Sequence, residues 1–204
     1  KENGKYNVIA KLKYGYKWEK SENTTDYKME CEIQKSKFIL SYDDNGGTGC
    51  SNQKKDIYYN LKYGTLSTLC IPKRTGYTFN GWNTKNNGTG KKIEDNTVVT
   101  YKNDHTIYAQ WKTNIYTVKY NGNGNTGGTT NSSTHTYNIE KNLTPNGFSK
   151  TGYTFNSWNT KADNSGTPYK NNQSVKNLTS TNKDTFNLYA HWKANTYIVK
   201  YNGN

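Results

Sequence analysis

The chain lacks several features that particular classes of protein require. It has 3 cysteines, with no CxxC pair and no Cys/His spacing typical of a zinc site. No apolar run approaches the roughly 20 residues of a membrane-spanning helix. Arg74 is the only arginine, although the formal net charge is +13. Because arginine forks usually carry phosphate and base recognition, the charge predicts no specific nucleic-acid binding, only loose attraction to anionic surfaces.

Hydrophobic residues are also scarce, but aromatic residues are abundant. The hydrophobic fraction is 30% and the mean hydropathy is −1.14, whereas aromatics make up 14% of the chain. Disordered chains are polar and poor in aromatics, so this composition favours folded units with small cores. With only 3 prolines and 18 glycines, the polar remainder is mostly Asn, Thr, Ser and Lys. That mixture is typical of strands joined by many turns.

Three sequence elements occur more than once. Residues 76–85 (GYTFNGWNTK) recur at 152–161 (GYTFNSWNTK), and 108–112 (YAQWK) recur at 189–193 (YAHWK). Residues 116–123 (YTVKYNGN) recur at 197–204 (YIVKYNGN), with a diverged copy at 38–42 (FILSY). The period is about 76 to 81 residues, which is the size of a small domain rather than of a solenoid unit.

The copies predict how the chain is organised. We expect the end of a preceding module in residues 1–36, repeats in 37–113 and 114–194, and the first strand of a third repeat in 195–204. The sequence thus opens outside a repeat and stops inside one, so we interpret it as part of a longer chain. Only four residues separate Trp111 from Tyr116, and the same holds for Trp192 and Tyr197. Such short connections predict an extended, semi-rigid array.

Period-two alternation of apolar and polar residues predicts strands and assigns their faces. In residues 1–36 it predicts two strands, with Cys31 on the apolar face as a buried thiol. In the repeats, Trp82 falls three residues beyond Phe79, so we expect a β-bulge near Gly81 or Ser157 to return the indole to the core. The predicted core residues are Tyr77, Phe79, Trp82, Trp111, Tyr153, Phe155, Trp158 and Trp192.

Taken together, the three recurring motifs resemble the Listeria–Bacteroides repeat, the B-repeat family named from internalin B. The resemblance covers roughly residues 37 to 204. It implies tandem, small β-grasp-like (ubiquitin- or SUMO-like) domains, mainly β with one short helical segment (an α+β fold), which we expect at residues 59–66. It also implies a bacterial protein that is secreted, cell-surface or wall-attached. Residues 1–36 resemble the closing strands of an immunoglobulin-like β-sandwich module from a protein of the same kind.

The residues that could carry chemistry do not form a recognisable catalytic or metal-binding group. Cys50 and Cys70 flank the second strand of one repeat, so a disulfide between them is possible, but the second copy has no cysteine. His105, His135 and His191 have no evident base, orienting partner or pocket. We therefore expect no enzyme activity, no cofactor and no metal.

The sequence leaves two functions open. The first is a non-catalytic repeat region that acts as a stalk and adhesion scaffold. Its expected partners are neighbouring repeats in the same chain, and host-cell or cell-wall polymers are a further partner that the sequence leaves open. The second is a carbohydrate- or host-ligand-binding module that uses exposed tyrosines and lysines. A role as accessory domains of an enzyme depends on sequence beyond these 204 residues.

Overall fold

The computed structural model describes residues 5–10, 27–32, 36–64 and 70–203, and the regular elements in these ranges are all β-strands. The predicted mainly-β fold is therefore confirmed. The chain forms two compact units, the first from residues 1–43, 50–70 and 82–108, the second from 44–49, 71–81 and 109–204. The strands are β1 Lys5–Ala10, β2 Tyr27–Glu32, β3 Lys37–Asp43, β4 Lys54–Tyr58, β5 Tyr77–Asn83, β6 Lys92–Ile93, β7 His105–Thr113, β8 Ile115–Asn121, β9 Gly127–Gly128, β10 Ser133–Thr136, β11 Lys141–Asn142, β12 Phe148–Ser149, β13 Tyr153–Asn159, β14 Pro168–Tyr169, β15 Ser174–Val175 and β16 Thr185–Ala194.

The opening segment forms the two strands that its alternation predicts. Strands β1 and β2 pair antiparallel from Lys5 opposite Glu32 to Ala10 opposite Tyr27. Cys31 lies in β2 opposite Tyr6, but its predicted burial falls outside the side chains that the structure describes.

The first repeat copy builds a five-stranded sheet in the order β4-β3-β7-β5-β6. Strand β3 pairs antiparallel with β4 and parallel with β7. Alternate residues of these strands point inward, as period-two patterning requires. The buried apolar side chains of the first unit are Leu40, Tyr42, Cys50, Ile57, Tyr63, Trp82, Ile93, Val99 and Ile107.

The second copy repeats this strand order as β10-β8-β16-β13-β14. Strand β8 pairs antiparallel with β10 and parallel with β16, and β13 pairs antiparallel with β16 and β14. Two short ladders, β11 with β15 and β12 with β9, accompany the sheet. The core of this copy consists of Tyr116, Val118, Tyr120, Leu143, Trp158, Val175, Leu188 and Ala190.

Most of the predicted core residues are buried or half-buried. Trp82 and Trp158 are buried, whereas Tyr77, Phe79, Trp111, Phe155 and Trp192 are half-buried. Tyr153 corrects the prediction, because 43% of it is exposed. It is the first residue of β13 and lies opposite Ala194, the last residue of β16. The two strands end at this pair, so Tyr153 lies past the end of the core. Alternation predicts which face of a strand a side chain is on, but not where along the strand the core ends.

The predicted β-bulge is confirmed in the second copy. The register of β13 against β16 shifts between Phe155 and Ser157, which turns Trp158 into the core. At the corresponding position of the first copy, Gly81 has φ +99, a left-handed conformation that glycine adopts without steric cost.

The helical segment expected at residues 59–66 is not helical in its described part, 59–64. The backbone N–H groups of Asn60, Tyr63 and Gly64 donate to the carbonyls of Val99, Thr97 and Asp95. A helix would direct such donors to carbonyls four residues earlier. Here they bond a neighbouring segment, and Asn60 adopts φ +63, so the prediction is wrong up to Gly64.

Candidate functional site

The asparagine that follows each motif tryptophan organises the next loop. The Oδ1 of Asn83 accepts from the backbone N–H of Lys85 at 2.9 Å, and its Nδ2 donates to the carbonyls of Gly88 and Gly90. Asn159 makes a similar set: its Oδ1 accepts from the backbone N–H of Lys161, and its Nδ2 donates to the Oδ1 of Asn164 and to the carbonyl of Gly166. Both asparagines are buried, so the recurring Trp-Asn-Thr-Lys sequence specifies a loop as well as a core.

The closing tryptophans also make a recurring hydrogen bond. Trp111 Nε1 donates to the carbonyls of Asp44 and Asn45 at 3.0 and 3.1 Å. Trp192 Nε1 donates to the carbonyl of Gly122 at 2.9 Å. In both copies the indole N–H therefore holds the loop that follows the first strand of the sheet through a hydrogen bond to its backbone. This bond explains why these tryptophans recur although they are only half-buried.

Each histidine contacts neutral groups and occupies a structural position. His105 Nε2 lies 2.6 Å from the hydroxyl of Tyr63, and burial raises the pKa of that phenol to about 12. His135 Nε2 lies 2.8 Å from Ser133 Oγ. His191 Nε2 lies 3.0 Å from the carbonyl of Lys161. Among the described residues, none of these three rings hydrogen-bonds to a carboxylate that would orient a catalytic base.

The Ser133–His135 pair resembles half of a nucleophile–base arrangement, but its surroundings favour a packing role. His135 is 1% exposed and stacks on Tyr116, with 5.5 Å between the ring centroids. Burial, and then the charge of Lys141, lower its pKa. It stands opposite Tyr116 in β8 just as Ile57 stands opposite Phe38 in β3. A histidine that replaces a core isoleucine is buried away from any substrate.

Cys50 and Cys70 form a disulfide, with a Cα–Cα distance of 5.7 Å. Cys50 is fully buried, and the bridge closes a sequence separation of 20 residues within the first unit. Within residues 5–10, 27–32, 36–64 and 70–203, no group of three or more His, Cys, Asp or Glu side chains could hold a metal ion.

The most distinctive contact surface lies within the second unit, where residues 76–78 meet residues 114 and 137–138. We call this set the junction surface. Gly76 has φ +77, and a Cβ there would overlap the ring of Tyr137. The rings of Tyr77 and Tyr137 meet edge to face at 6.1 Å, and Asn138 Nδ2 donates to the Tyr77 hydroxyl at 3.2 Å.

Buried Asn114 holds the junction surface together. Its backbone N–H donates to the carbonyl of Gly76 at 2.9 Å, and its Oδ1 accepts from Thr78 Oγ1 at 2.6 Å. Its carbonyl accepts from the Tyr137 N–H, and its Nδ2 donates to the carbonyl of Ser180 at 2.8 Å. Ser180 belongs to the loop that is five residues longer than its first-copy counterpart. The extra loop residues therefore supply a partner to this asparagine.

An open cleft of about 560 Å³ adjoins the junction surface. The Arg74 guanidinium lies over the Tyr77 ring at 4.1 Å from its centroid and donates to the carbonyl of Asn45 at 3.4 Å. The cleft thus combines a cation, aromatic rings and amide groups. The residues that line it are Gly46, Gly47, Thr48, Lys73, Arg74, Thr75, Tyr77, Tyr137 and Asn138.

Two proteins of Evansella cellulosilytica are similar to the chain. One, named "Putative Gly-rich membrane protein", is 37% identical over 138 residues, which is 64% of this chain and 16% of that protein. The other, named "Putative membrane protein", is 26% identical over 188 residues, which is 90% of this chain and 26% of that protein. The chain thus spans about a quarter or less of the length of these relatives. Its described residues include no apolar helix of membrane-spanning length.

The model of the Listeria–Bacteroides repeat domain matches the chain twice, over residues 38–110 and 116–191. These two ranges cover most of the two five-stranded sheets, which share one strand order. They also contain the paired loop contacts of Asn83 and Asn159. The chain therefore belongs to the Listeria–Bacteroides repeat domain family, in two successive copies.

Proposed function

We propose that the chain is a non-catalytic tandem-repeat region of a bacterial cell-surface or secreted protein, where it acts as a stalk and adhesion scaffold. In this proposal residues 37–113 and 114–194 are B-repeats with a β-grasp-like fold. Residues 1–36 close a preceding immunoglobulin-like module, and 195–204 begin a third repeat. The mixed sheet with a parallel pair near its centre supports the β-grasp-like assignment. The names of the two relatives support a location at the cell envelope.

One observation carries the proposal: the contacts that recur between the copies are structural, and the groups that could do chemistry do not recur. The Asn83 and Asn159 loops and the Trp111 and Trp192 hydrogen bonds appear in both copies. The disulfide and His135, by contrast, each occur in one copy only. A repeated spacer needs the residues that make structural contacts in every copy, and it needs no reactive groups.

The experiment that tests the scaffold role is a glycan array probed with the labelled 204-residue chain. Under the proposal the array stays blank, because a spacer needs no ligand pocket. Glycans from host cells and from bacterial walls should both be included, since either is a plausible polymer partner for a cationic surface protein.

The second candidate function is direct binding of an anionic glycan, and the Arg74 cleft favours it. Its cation and aromatic rings could pair with a carboxylate and stack on a sugar face. Saturable binding that falls when Arg74 is replaced by Ala would favour this function over the scaffold. Lys170→Ala is the matched control, because Lys170 is exposed and lies outside the residues that line the cleft.

A further inference from the structure

The surface that Tyr137 and Asn138 cover in the first copy is present a second time. Gly152 has φ +76, Tyr153 follows it, and Thr154 Oγ1 donates to Asn195 Oδ1 at 2.7 Å. The Asn195 N–H donates to the carbonyl of Gly152 at 2.9 Å. Lys150 lies over the Tyr153 ring at 4.7 Å, as Arg74 lies over Tyr77. These contacts match those of Gly76, Tyr77, Thr78 and Asn114 one for one.

The second surface differs from the first in being uncovered. Gly76 and Asn114 are buried, whereas Gly152 and Asn195 are exposed. A Cβ at Gly152 would meet no described atom within 4 Å. Tyr153 is 43% exposed, and a cleft of about 570 Å³ opens beside it between Thr154 and Tyr197. The second surface is therefore shaped like the first, but none of the described residues covers it as Tyr137 covers Gly76.

The group that would fit this surface also occurs in each copy. Tyr59-Asn60 stands in the first copy where Tyr137-Asn138 stands in the second, since each pair follows the strand that runs antiparallel to the first strand of its sheet. Asn60 and Asn138 have nearly the same backbone, with φ +63 and +62. Tyr59 is 40% exposed. Every copy thus carries both a Tyr-Asn pair and a Gly-Tyr-Thr sequence.

We propose that the surface formed by Gly152, Tyr153, Thr154 and Asn195 is a docking site for the Tyr-Asn pair of another repeat of this family, joined head to tail through the segment that follows Asn195. The occupied junction surface shows what the contact consists of. The ring of the incoming tyrosine lies on Gly152, and the incoming asparagine donates to the Tyr153 hydroxyl. Such a contact uses two different faces of one unit, which is the rule for heterologous, propagating interfaces. The inference depends only on these contacts and holds whether or not the repeats act as a stalk.

The backbone of residue 152 gives the site its specificity. Its positive φ strongly favours glycine, and only glycine leaves room for an aromatic ring at that position. The same requirement is visible at Gly76, where any Cβ would overlap Tyr137. A small polar ligand would not need this clearance. The free volume above Gly152 therefore fits a ring delivered by a folded repeat.

The test is a longer chain in which residues 116–195 follow Thr196, so that a third copy supplies a second Tyr137-Asn138 pair. The appended copy carries Tyr153→Phe, which distinguishes its peptides by mass. Hydroxyl-radical footprinting then measures the labelling of the original Tyr153. We expect its labelling to fall to the level of Tyr77 in the same chain. The matched control is the same long chain with Tyr137→Ala in the appended copy, where Tyr153 should label as it does in the 204-residue chain.

Equal labelling of Tyr153 in all three chains overturns the proposal. Protection that appears in the 204-residue chain as its concentration rises also overturns it, because a second molecule would then be the occupant. Protection that persists in the Tyr137→Ala control would show that the chain covers Tyr153 by another route.

A disulfide trap provides an independent measurement. The Gly76→Cys/Tyr137→Cys pair in the 204-residue chain is the positive control, because a Cβ at residue 76 would overlap the ring of Tyr137, so the two residues are close enough for a disulfide to be tested. Gly152→Cys with Tyr137→Cys in the appended copy should cross-link to a similar yield in a Cys31→Ser background. Glu140→Cys in the appended copy should not cross-link with Gly152→Cys. Failure of the test pair while the positive control closes would contradict the proposal.

Discussion

At the scale of single residues, His135 is the clearest case of a side chain whose position sets a measurable property. Its neighbours are Ser133, which contacts Nε2, and Tyr116, on which the ring stacks. Within the described residues its Nδ1 has no hydrogen-bond partner. Burial favours the neutral imidazole, and the Lys141 charge adds to the effect, so the pKa of His135 lies below its ordinary value.

Because the pKa of His135 is lowered in the folded chain, the free energy of unfolding should depend on pH. Above about pH 6.5, the ordinary pKa of histidine, the ring is neutral in both the folded and the unfolded chain. As the pH falls below this value, the unfolded chain binds a proton that the folded chain does not, so the free energy of unfolding decreases. The decrease stops once the pH is below the folded pKa. His135→Ile, which restores the first-copy residue type, should remove this decrease.

Urea unfolding between pH 7.5 and pH 5 checks the prediction. The midpoint should fall with pH more steeply for the natural chain than for His135→Ile. His191→Gln is the matched control, because it removes a histidine at a partly exposed position and introduces the residue type that the first copy has there, Gln110. Parallel slopes for all three chains would contradict the prediction.

Asn159 offers a second prediction at this scale. Its side chain is 1% exposed and holds three hydrogen bonds of the 159–167 loop. Asn159→Ala leaves Lys161 N–H without this acceptor and should lower the free energy of unfolding by about 1–3 kcal/mol. Asn156→Ala, an exposed position of the same strand, should change it by less than about 0.5 kcal/mol. Chemical denaturation of both variants checks the difference, and equal effects would contradict it.

These residues mark the limit of what sequence periodicity predicts. Alternation selects Trp158 correctly once a β-bulge is allowed for, because a strand with one buried face orders its side chains locally. Asn159 follows Trp158 directly and is also buried, which alternation excludes. Its amide is satisfied by a loop that folds back five to seven residues later. The recurrence of Trp-Asn-Thr-Lys was the available signal, but it did not reveal the hydrogen bonds.

At the scale of elements, the Cys50–Cys70 bridge should stabilise the first unit alone. It ties the loop before β4 to the segment before β5, and all 3 cysteines lie in the first unit. Closing a loop of this length is worth about 3 kcal/mol in the chain-entropy model. Reduction should therefore lower the unfolding temperature of the first unit and leave that of the second unchanged.

Differential scanning calorimetry with and without a reductant checks this prediction. The calorimetric transition of the second unit should stay in place when the bridge is reduced, whereas that of the first unit should move to lower temperature. A shift of both transitions by similar amounts would contradict the assignment of the bridge to one unit.

The elements also show which parts of the fold depend on long-range contacts. The bulge at Ser157 was predictable because it changes which face a nearby tryptophan occupies. The parallel pairing of β8 with β16 was not, since strands about 70 residues apart leave no local pattern. The helical segment expected at 59–66 failed up to Gly64 for a similar reason. Its donors bond residues 95–99, a segment that short-range propensity does not take into account.

At the scale of the whole molecule, the short connection between β7 and β8 predicts restricted motion between repeats. Only Asn114 lies between these strands, and it makes four hydrogen bonds, two through its side chain and two through its backbone. Small-angle scattering of the 204-residue chain should therefore give one well-defined maximum dimension, as a spacer requires. Asn114→Gly should broaden the distribution of dimensions. A broad distribution for the natural chain would leave only a flexible tether.

The exposed segment 197–202 has a consequence for how the molecule refolds. It is nearly identical in sequence to the inner strand β8, and its side chains Tyr197, Ile198, Val199 and Tyr201 are 69–91% exposed. During refolding, β16 of one molecule must pair with β8 of the same chain. The segment 197–202 of a neighbouring molecule has nearly the same sequence and can pair with β16 in its place. Strand exchange of this kind is a characteristic failure of repeat proteins. Refolding from urea should yield dimers in proportion to protein concentration, and Val199→Lys, which places a charge on the competing strand, should restore the monomer.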